Sequence, residues 1–258
     1  GEMDVAYVGV TPALFAISQG LDAKIVASIN TNGQVLVVSA TKGTPDWIYK
    51  EPKDLEGKTI ATLTRGSIQD IVFNHWLNKM DKEGKLDKSK VNVKYMGIGD
   101  MLTALATKQV DGIYMTMPFS DDMAEMLGTG VGTNLTSEIT WPGHPCCVLL
   151  VSGKLIREHP DLVKKIVKTH LEATEWALKN PDEAAEIAYK VFEWKEHKLP
   201  LAPMKKAMRK AAKGEHMKMD TNPHHIIPIT EEIIEDVYNR GLLKKKLSVD
   251  EVFDTRFY

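Results

Sequence analysis

Two stretches of this chain place glycine and small polar residues where a strand hands over to a helix, and such junctions can hold an anion. Arg65-Gly66-Ser67 follows the apolar run 58–63 and opens a helical pattern at Ser67-Ile68-Gln69-Asp70. The first amides of a helix lack intrahelical partners and carry partial positive charge, so Gly66 and Ser67 suit a carboxylate, sulfonate or nitrate. Arg65 adds a forked cationic donor if it faces the ligand and is a solvated cation if it faces water. Ser67 and Asp70 also read as a capping box, and capping alone would account for both. Gly9-Val10-Thr11 repeats the arrangement, with the Thr11 hydroxyl either a ligand donor or a cap ahead of Pro12 at N1. Asn32 stands in the turn pair Asn32-Gly33 and is a further candidate contact. Trp141-Pro142-Gly143-His144-Pro145 offers an aromatic wall and an imidazole to an organic ligand; a packed Trp141 is the competing account.

Other chemistries find less support. His144 with Cys146 and Cys147 has the residue types of a metal site, but adjacent strand residues point to opposite faces, so at most one thiol joins His144. Buried apolar cysteines are expected instead. Gly128-Thr129-Gly130-Val131-Gly132 imitates a dinucleotide loop, yet it follows a helical pattern and reads as a C-cap and turn. His216, His224 and His225 lack carboxylate or i,i+4 support and read as a surface loop, and Lys244-Lys245-Lys246 as a short solvated run. With no nucleophile elbow, Walker loop or His-Glu-x-x-His, no catalytic residue, metal or cofactor is expected. A formal charge of −2 and a pI near 6.5 give nucleic acid and anionic membranes no global attraction. The longest apolar run, 146–151, is far short of the roughly 20 residues of a membrane helix. The opening residues Gly1-Glu2-Met3-Asp4 run into an apolar strand with no basic or hydrophobic leader pattern.

The elements that must position these residues alternate. Strands are predicted over 5–10, 24–30, 34–40, 58–63, 91–96, 111–115 and 146–151, with helices between them. One helix is expected from Ser67 to about Met80, another from Asp100 and a third from Pro118. Beyond residue 152 the pattern is helical, and Leu162, Val163, Ile166, Val167, Leu171, Thr174 and Leu178 mark one apolar face. Alternation of this kind implies an α/β protein with mostly parallel sheet. The 43% apolar and 26% charged fractions are those of a folded globular chain.

The ordered set of motifs carries a resemblance. The segment from Gly1-Glu2-Met3-Asp4-Val5 through Gly9 to Pro12-Ala13-Leu14 resembles the G-x-x-D-V-G…G…P-A-L stretch of nitrate/sulfonate/taurine-type solute-binding proteins, the receptors of ABC importers. The match continues through Lys24-Ile25-Val26-Ala27, Gln34-Val35-Leu36-Val37-Val38, Asp54-Leu55-Glu56-Gly57-Lys58 and Arg65-Gly66-Ser67. It closes with Asp100-Met101-Leu102-Thr103-Ala104-Leu105 and Val110-Asp111-Gly112-Ile113. The resemblance implies a two-lobed, periplasmic-binding-protein-like (type 2) fold with a central ligand cleft and two crossing strands near 34–40 and 146–152. It assigns 1–40 and 146–258 to a discontinuous first lobe and 41–145 to an inserted second lobe. Family members carry a further strand, helix and strand before the Gly1–Asp4 position, and their lack here would expose a sheet edge suited to association.

The function implied is that of a non-catalytic, extracytoplasmic receptor, periplasmic or lipid-anchored at the outer face of the cell membrane. It would capture a sulfonate-, nitrate- or taurine-like oxyanion by lobe closure and deliver it to ABC permease subunits. Trp141, Tyr114 and Phe119 instead favour a thiamine-precursor pyrimidine as ligand. The rival from another class is an enzyme on the same lobes, similar to the pyrimidine-forming thiamine synthases or the menaquinone-pathway dehydratases. Cys146-Cys147 only faintly echoes the synthases' cysteine-rich iron motif. A ligand-sensing domain of a larger regulator is a third possibility.

Overall fold

A computed structural model describes residues 3–191 and 200–258; Gly1 and Glu2, which open the family-like segment, lie outside the described residues. The chain begins β1 (Val5–Gly9), α1 (Val10–Ser18), β2 (Ala23–Asn32), β3 (Gln34–Thr41), β4 (Thr44–Pro45) and β5 (Thr59–Thr62). It continues α2 (Ile68–Lys82), β6 (Asn92–Tyr95), α3 (Ile98–Ala106), β7 (Gly112–Thr116), α4 (Asp121–Met126), β8 (Gly130–Thr136) and α5 (Ser137–Thr140). Then come β9 (Pro145–Ser152), α6 (Gly153–Glu158), α7 (Pro160–Lys179), α8 (Pro181–Val191), α9 (Leu201–Ala212), β10 (Met217–Lys218), α10 (Pro223–Asn239) and α11 (Val249–Val252). The mixed α/β class expected from the sequence holds, and no helix among the described residues is long and apolar enough to cross a membrane.

The chain divides into two compact units. Unit 1 comprises the stretch ending at Asn32, Gly143–Lys179 and Lys218–Tyr258; unit 2 comprises Gly33–Pro142 with α8 and α9. Unit 2 is therefore wider than the inserted segment 41–145 read from the sequence. β3 joins it because Gln34–Val38 pair with Thr116–Gly112. Helix α9 joins it through charge, with Lys206 and Lys210 donating to the buried Asp122 carboxylate at 2.9 and 2.7 Å. Arg209 holds α8 to α9 through a bidentate contact with Asp182 at 2.6 Å.

Unit 1 is built on a sheet of order β1-β9-β2-β10. β9 lies antiparallel to both β1 and β2, which corrects the expected mostly parallel sheet. β1 and β2 do run the same way, but a strand from more than 110 residues downstream has inserted between them. Val26, Ala27, Leu149, Val151, Val163 and Val167 form the core beneath α7. Leu162, assigned to the apolar stripe of that helix, is 46% exposed, so the buried face starts at Val163. The expected Thr11–Pro12 cap is also corrected, because α1 starts at Val10 with Gly9 as its N-cap and Thr11 inside the first turn. A Cβ on Gly9 would lie 3.3 Å from Pro12 Cδ, and this tight approach of cap to first turn favours glycine.

Unit 2 carries a mixed sheet of order β4-β3-β7-β5-β6, with β8 also paired to β3. β5 runs parallel to β6 and β7, while β3 runs antiparallel to β7 and β8. The Gly-rich segment expected to be a turn becomes β8. A Cβ on Gly130 would sit 2.6 Å from Val37 Cγ1 and 2.8 Å from Leu105 Cδ2, so glycine is what lets this strand approach β3 and α3. Asn32 and Gly33 take positive φ values of 60° and 103°, and the strands on either side of them enter different sheets. The helix expected from Pro118 starts at Asp121.

Candidate functional site

In unit 2 the parallel strands β5, β6 and β7 end together at Thr62, Tyr95 and Thr116, and Thr62 pairs in register with Tyr95. Open α/β sheets bind ligands at such carboxyl edges. Thr62 is fully buried, and its Oγ1 has no hydrogen-bond partner among the described residues. A buried hydroxyl without a partner is costly, so one at a strand end is a natural handle for a ligand. Beside it, Gln69 Nε2 donates to Thr116 Oγ1 at 2.8 Å, which fixes both side chains at the edge.

The α2 N-terminus faces this edge with its own anion already in place. Ser67 is the N-cap, its Oγ accepting from the Asp70 amide at 3.2 Å. The Asp70 carboxylate accepts from the Gly66 amide at 2.8 Å and from Asn74 Nδ2 at 2.6 Å. Gly66, at φ 87°, adopts a backbone conformation that suits glycine. Gly66 and Ser67 thus stand where the sequence placed them, at a helix start, but the carboxylate of Asp70 occupies part of the positive end. The Tyr95 phenol titrates above its ordinary value, first because burial disfavours phenolate and then because the Asp70 charge opposes it. Arg65 is exposed, with its charge acting in the other direction on Tyr95. Trp141 is buried and stacks on His75, ring centroids 3.7 Å apart and planes 20° from parallel.

In unit 1 one end of the sheet collects the end of β1, the end of β2 and the start of β9, because Gly9 and Asn30 both pair with Cys147 and Thr31 with Pro145. Thr11 and His144 are fully buried there. The Asn32 amide donates to the His144 carbonyl at 3.0 Å, and Asn32 Oδ1 accepts from the Gly143 amide at 2.9 Å. Three candidates from distant parts of the sequence therefore share one sheet end.

Two expectations about metal-type residues are corrected. Cys146 and Cys147 do not diverge: their Sγ atoms are 3.9 Å apart, where the β2–β9 register shifts on both sides of Asn30. The Cys147 thiol is held below its ordinary value by its hydrogen bond with Cys146, against the opposing effect of burial. His224 and His225 lie in the first turn of α10, and His225 Nδ1 is 3.0 Å from the Asp220 carboxylate that sequence reasoning did not connect to it. No cluster of three or more metal-ligating side chains occurs among the described residues.

Sequence reasoning missed Thr62, Tyr95, Thr116, Gln69 and His75. The signal for Thr62 was available, since it stands next to the end of a predicted strand just before Arg65-Gly66-Ser67. Tyr95 and Thr116 are joined to it only by sheet pairing.

Known proteins supply the remaining context. Residues 1–191 match the model of a family described as NMT1-like. A protein of Brucella abortus (strain 2308) named as a binding protein is 27% identical over 194 residues, which make up 74% of this chain and 56% of that one. This chain thus spans a little over half the length of the curated relatives it matches. The periplasmic aliphatic sulphonate binding protein SsuA from Escherichia coli superposes with a TM-score of 0.75 at 16% identity, over 98% of this chain and 80% of that one. The desulfurization enzyme DSZB superposes with a TM-score of 0.69 at 15% identity, over 98% and 83% of the two chains. These likenesses establish the fold.

Proposed function

Since the chain belongs to the NMT1-like family, we propose that it is the extracytoplasmic ligand-binding receptor of an ABC-type importer, taking up a small oxyanion of the sulfonate, nitrate or taurine kind for its permease subunits. The observation that carries the reading is the Thr62 hydroxyl, buried without a partner at the carboxyl edge of β5–β7 beside Gln69, Thr116 and Tyr95. Hydroxyl and amide donors bind an oxyanion without the cost of burying a counter-charge. Arg65, Gly66, Ser67 and Trp141 in unit 2, and Thr11, Asn32 and His144 in unit 1, are the further proposed contacts. The fold itself is neutral between binding and turnover, as SsuA and DSZB illustrate by their names. Relatives named as binding proteins favour capture without chemistry. β1 stands at the edge of the unit 1 sheet with Tyr7 60% exposed, and any association through a sheet edge is assigned to it.

One observation favours a second reading. Asp70 already engages the α2 amide end, so a ligand bringing its own N–H donor, such as an aminopyrimidine, meets a carboxylate there where a free anion meets like charge. Calorimetric titration with nitrate, taurine, alkylsulfonates and an aminopyrimidine separates the two. We expect a sulfonate to bind and Thr62→Val to weaken it about tenfold, the scale of one hydrogen bond to a charged group, while stability stays level or rises. Tight binding of the aminopyrimidine alone would move the substrate class and leave the receptor reading intact. Recovery of chemically altered ligand in at least stoichiometric amount would overturn the receptor reading.

A further inference from the structure

A second concavity lies wholly within unit 2, on the last turns of α2, roughly 14 Å along that helix from Ser67. It has a volume of about 380 Å³, within the range of small-molecule pockets. Its floor is apolar, formed by the buried side chains of Trp76, Met80 and Leu135. Half-buried Tyr49 forms one wall and Ile139, 54% exposed, another.

The rim is cationic. Lys50, Lys79, Lys85 and Glu83 line it, and Glu83 is committed to Lys85 at 2.7 Å. Asp54, whose charge acts on Lys50 and Tyr49, spends one oxygen on the Lys50 and Glu51 amides at 2.7 and 2.9 Å. Neither Lys50 nor Lys79 forms an ion pair among the described residues. Two positive charges therefore stand over an aromatic and aliphatic floor. Burial drives the Tyr49 phenol well above its ordinary value, so it stays protonated and can donate into the pocket.

An apolar floor alone would suit many molecules, and a lysine rim alone would be ordinary surface. Together they select a molecule with an apolar body and one anionic end. We propose that this pocket is a second ligand site for an aromatic or short alkyl acid, the ring or chain lying on Trp76, Met80 and Leu135 and the carboxylate or sulfonate meeting Lys50 and Lys79. The proposal stands independently of the strand-end site.

The test uses the whole chain and 2-naphthalenesulfonate as probe, followed by NMR at the Trp76 indole resonance, which Trp76→Phe identifies. A saturable shift of that resonance is expected. The double substitution Lys50→Gln/Lys79→Gln should weaken the probe about five- to tenfold, the scale of two exposed charge contacts. The neutral 2-naphthalenesulfonamide should bind more weakly by a similar factor, and Ile139→Asp should weaken the sulfonate as well. The Lys50, Lys79 and Ile139 substitutions are at exposed side chains, so folding is not at stake in them. Thr62→Val should leave the Trp76 response untouched. A silent Trp76 resonance at saturating probe would overturn the proposal, as would equal binding of sulfonate and sulfonamide. So would loss of the Trp76 response on Thr62→Val with no effect of the lysine pair.

Discussion

The two strand-to-helix junctions begin from similar sequences and end with different chemistry. At Gly9-Val10-Thr11 the cap is a glycine with no side chain, and the first turn is sealed by buried Thr11. At Arg65-Gly66-Ser67 the cap is a serine, and a buried carboxylate three residues later folds back onto the Gly66 amide. The first junction is held by close backbone approach, the second by a charged hydrogen-bond cluster. A strand–Gly–helix pattern therefore announces an available helix end, while the third residue of the helix decides whether that end stays open to a ligand.

The sharpest way to break this contrast is Asp70→Ala. It removes a charged acceptor from two hydrogen bonds in a buried setting, and a loss of about 2–4 kcal/mol in urea unfolding is expected. Asp70→Asn keeps the shape and removes the charge; if the carboxylate is what repels anions from α2, sulfonate affinity should rise in that variant. An unchanged affinity would show that Asp70 does not set the charge preference.

A smaller effect is expected at the cap. Ser67→Ala should cost about 1 kcal/mol of stability, because the Asp70 amide loses its side-chain acceptor. The counterpart in unit 1, Gly9, has no side-chain cap to remove. If Ser67→Ala were silent in thermal unfolding, the Asp70 carboxylate would be sufficient to hold the helix start alone.

The smallest effects separate the units by pH. His170 in unit 1 is held below its ordinary 6.5, chiefly by burial and against its hydrogen bond to the Ser28 carbonyl. The unfolded chain then binds the proton more readily, so stability should decline as pH falls below about 6.5 toward the lower folded value. Tyr49 and Tyr95 in unit 2 are raised above 10.0 by burial, so their contribution is complete below that pH and lost as pH climbs through the folded values. Urea midpoints across pH 5–7 and 9.5–11 check both arms. His170→Gln should flatten the acid arm and Tyr95→Phe part of the alkaline arm; neither change affecting either arm would remove the assignment.

Local pattern was enough for much of this molecule. Short apolar runs marked β5, β7 and β9, and the Ser67–Asp70 spacing marked the start of α2, because these signals depend on neighbours within one strand or one helical turn. Ordered motifs along the chain were enough for the family. What neighbours in sequence do not encode is which strands lie side by side. The insertion of β9 between β1 and β2 turned an expected parallel sheet antiparallel and brought Asn32 to His144. The close approach at Gly130 turned an expected loop into β8. Asp122, reached by two lysines of α9, drew a distant helical segment into unit 2. The partnerless hydroxyl of Thr62 and the packing of Trp141 on His75 belong to the same class of fact. Burial and pairing are properties of surfaces that meet only after folding, so the sequence by itself determined most of the elements and the family, and the tertiary structure decided the strand neighbours and which polar groups remain for a ligand.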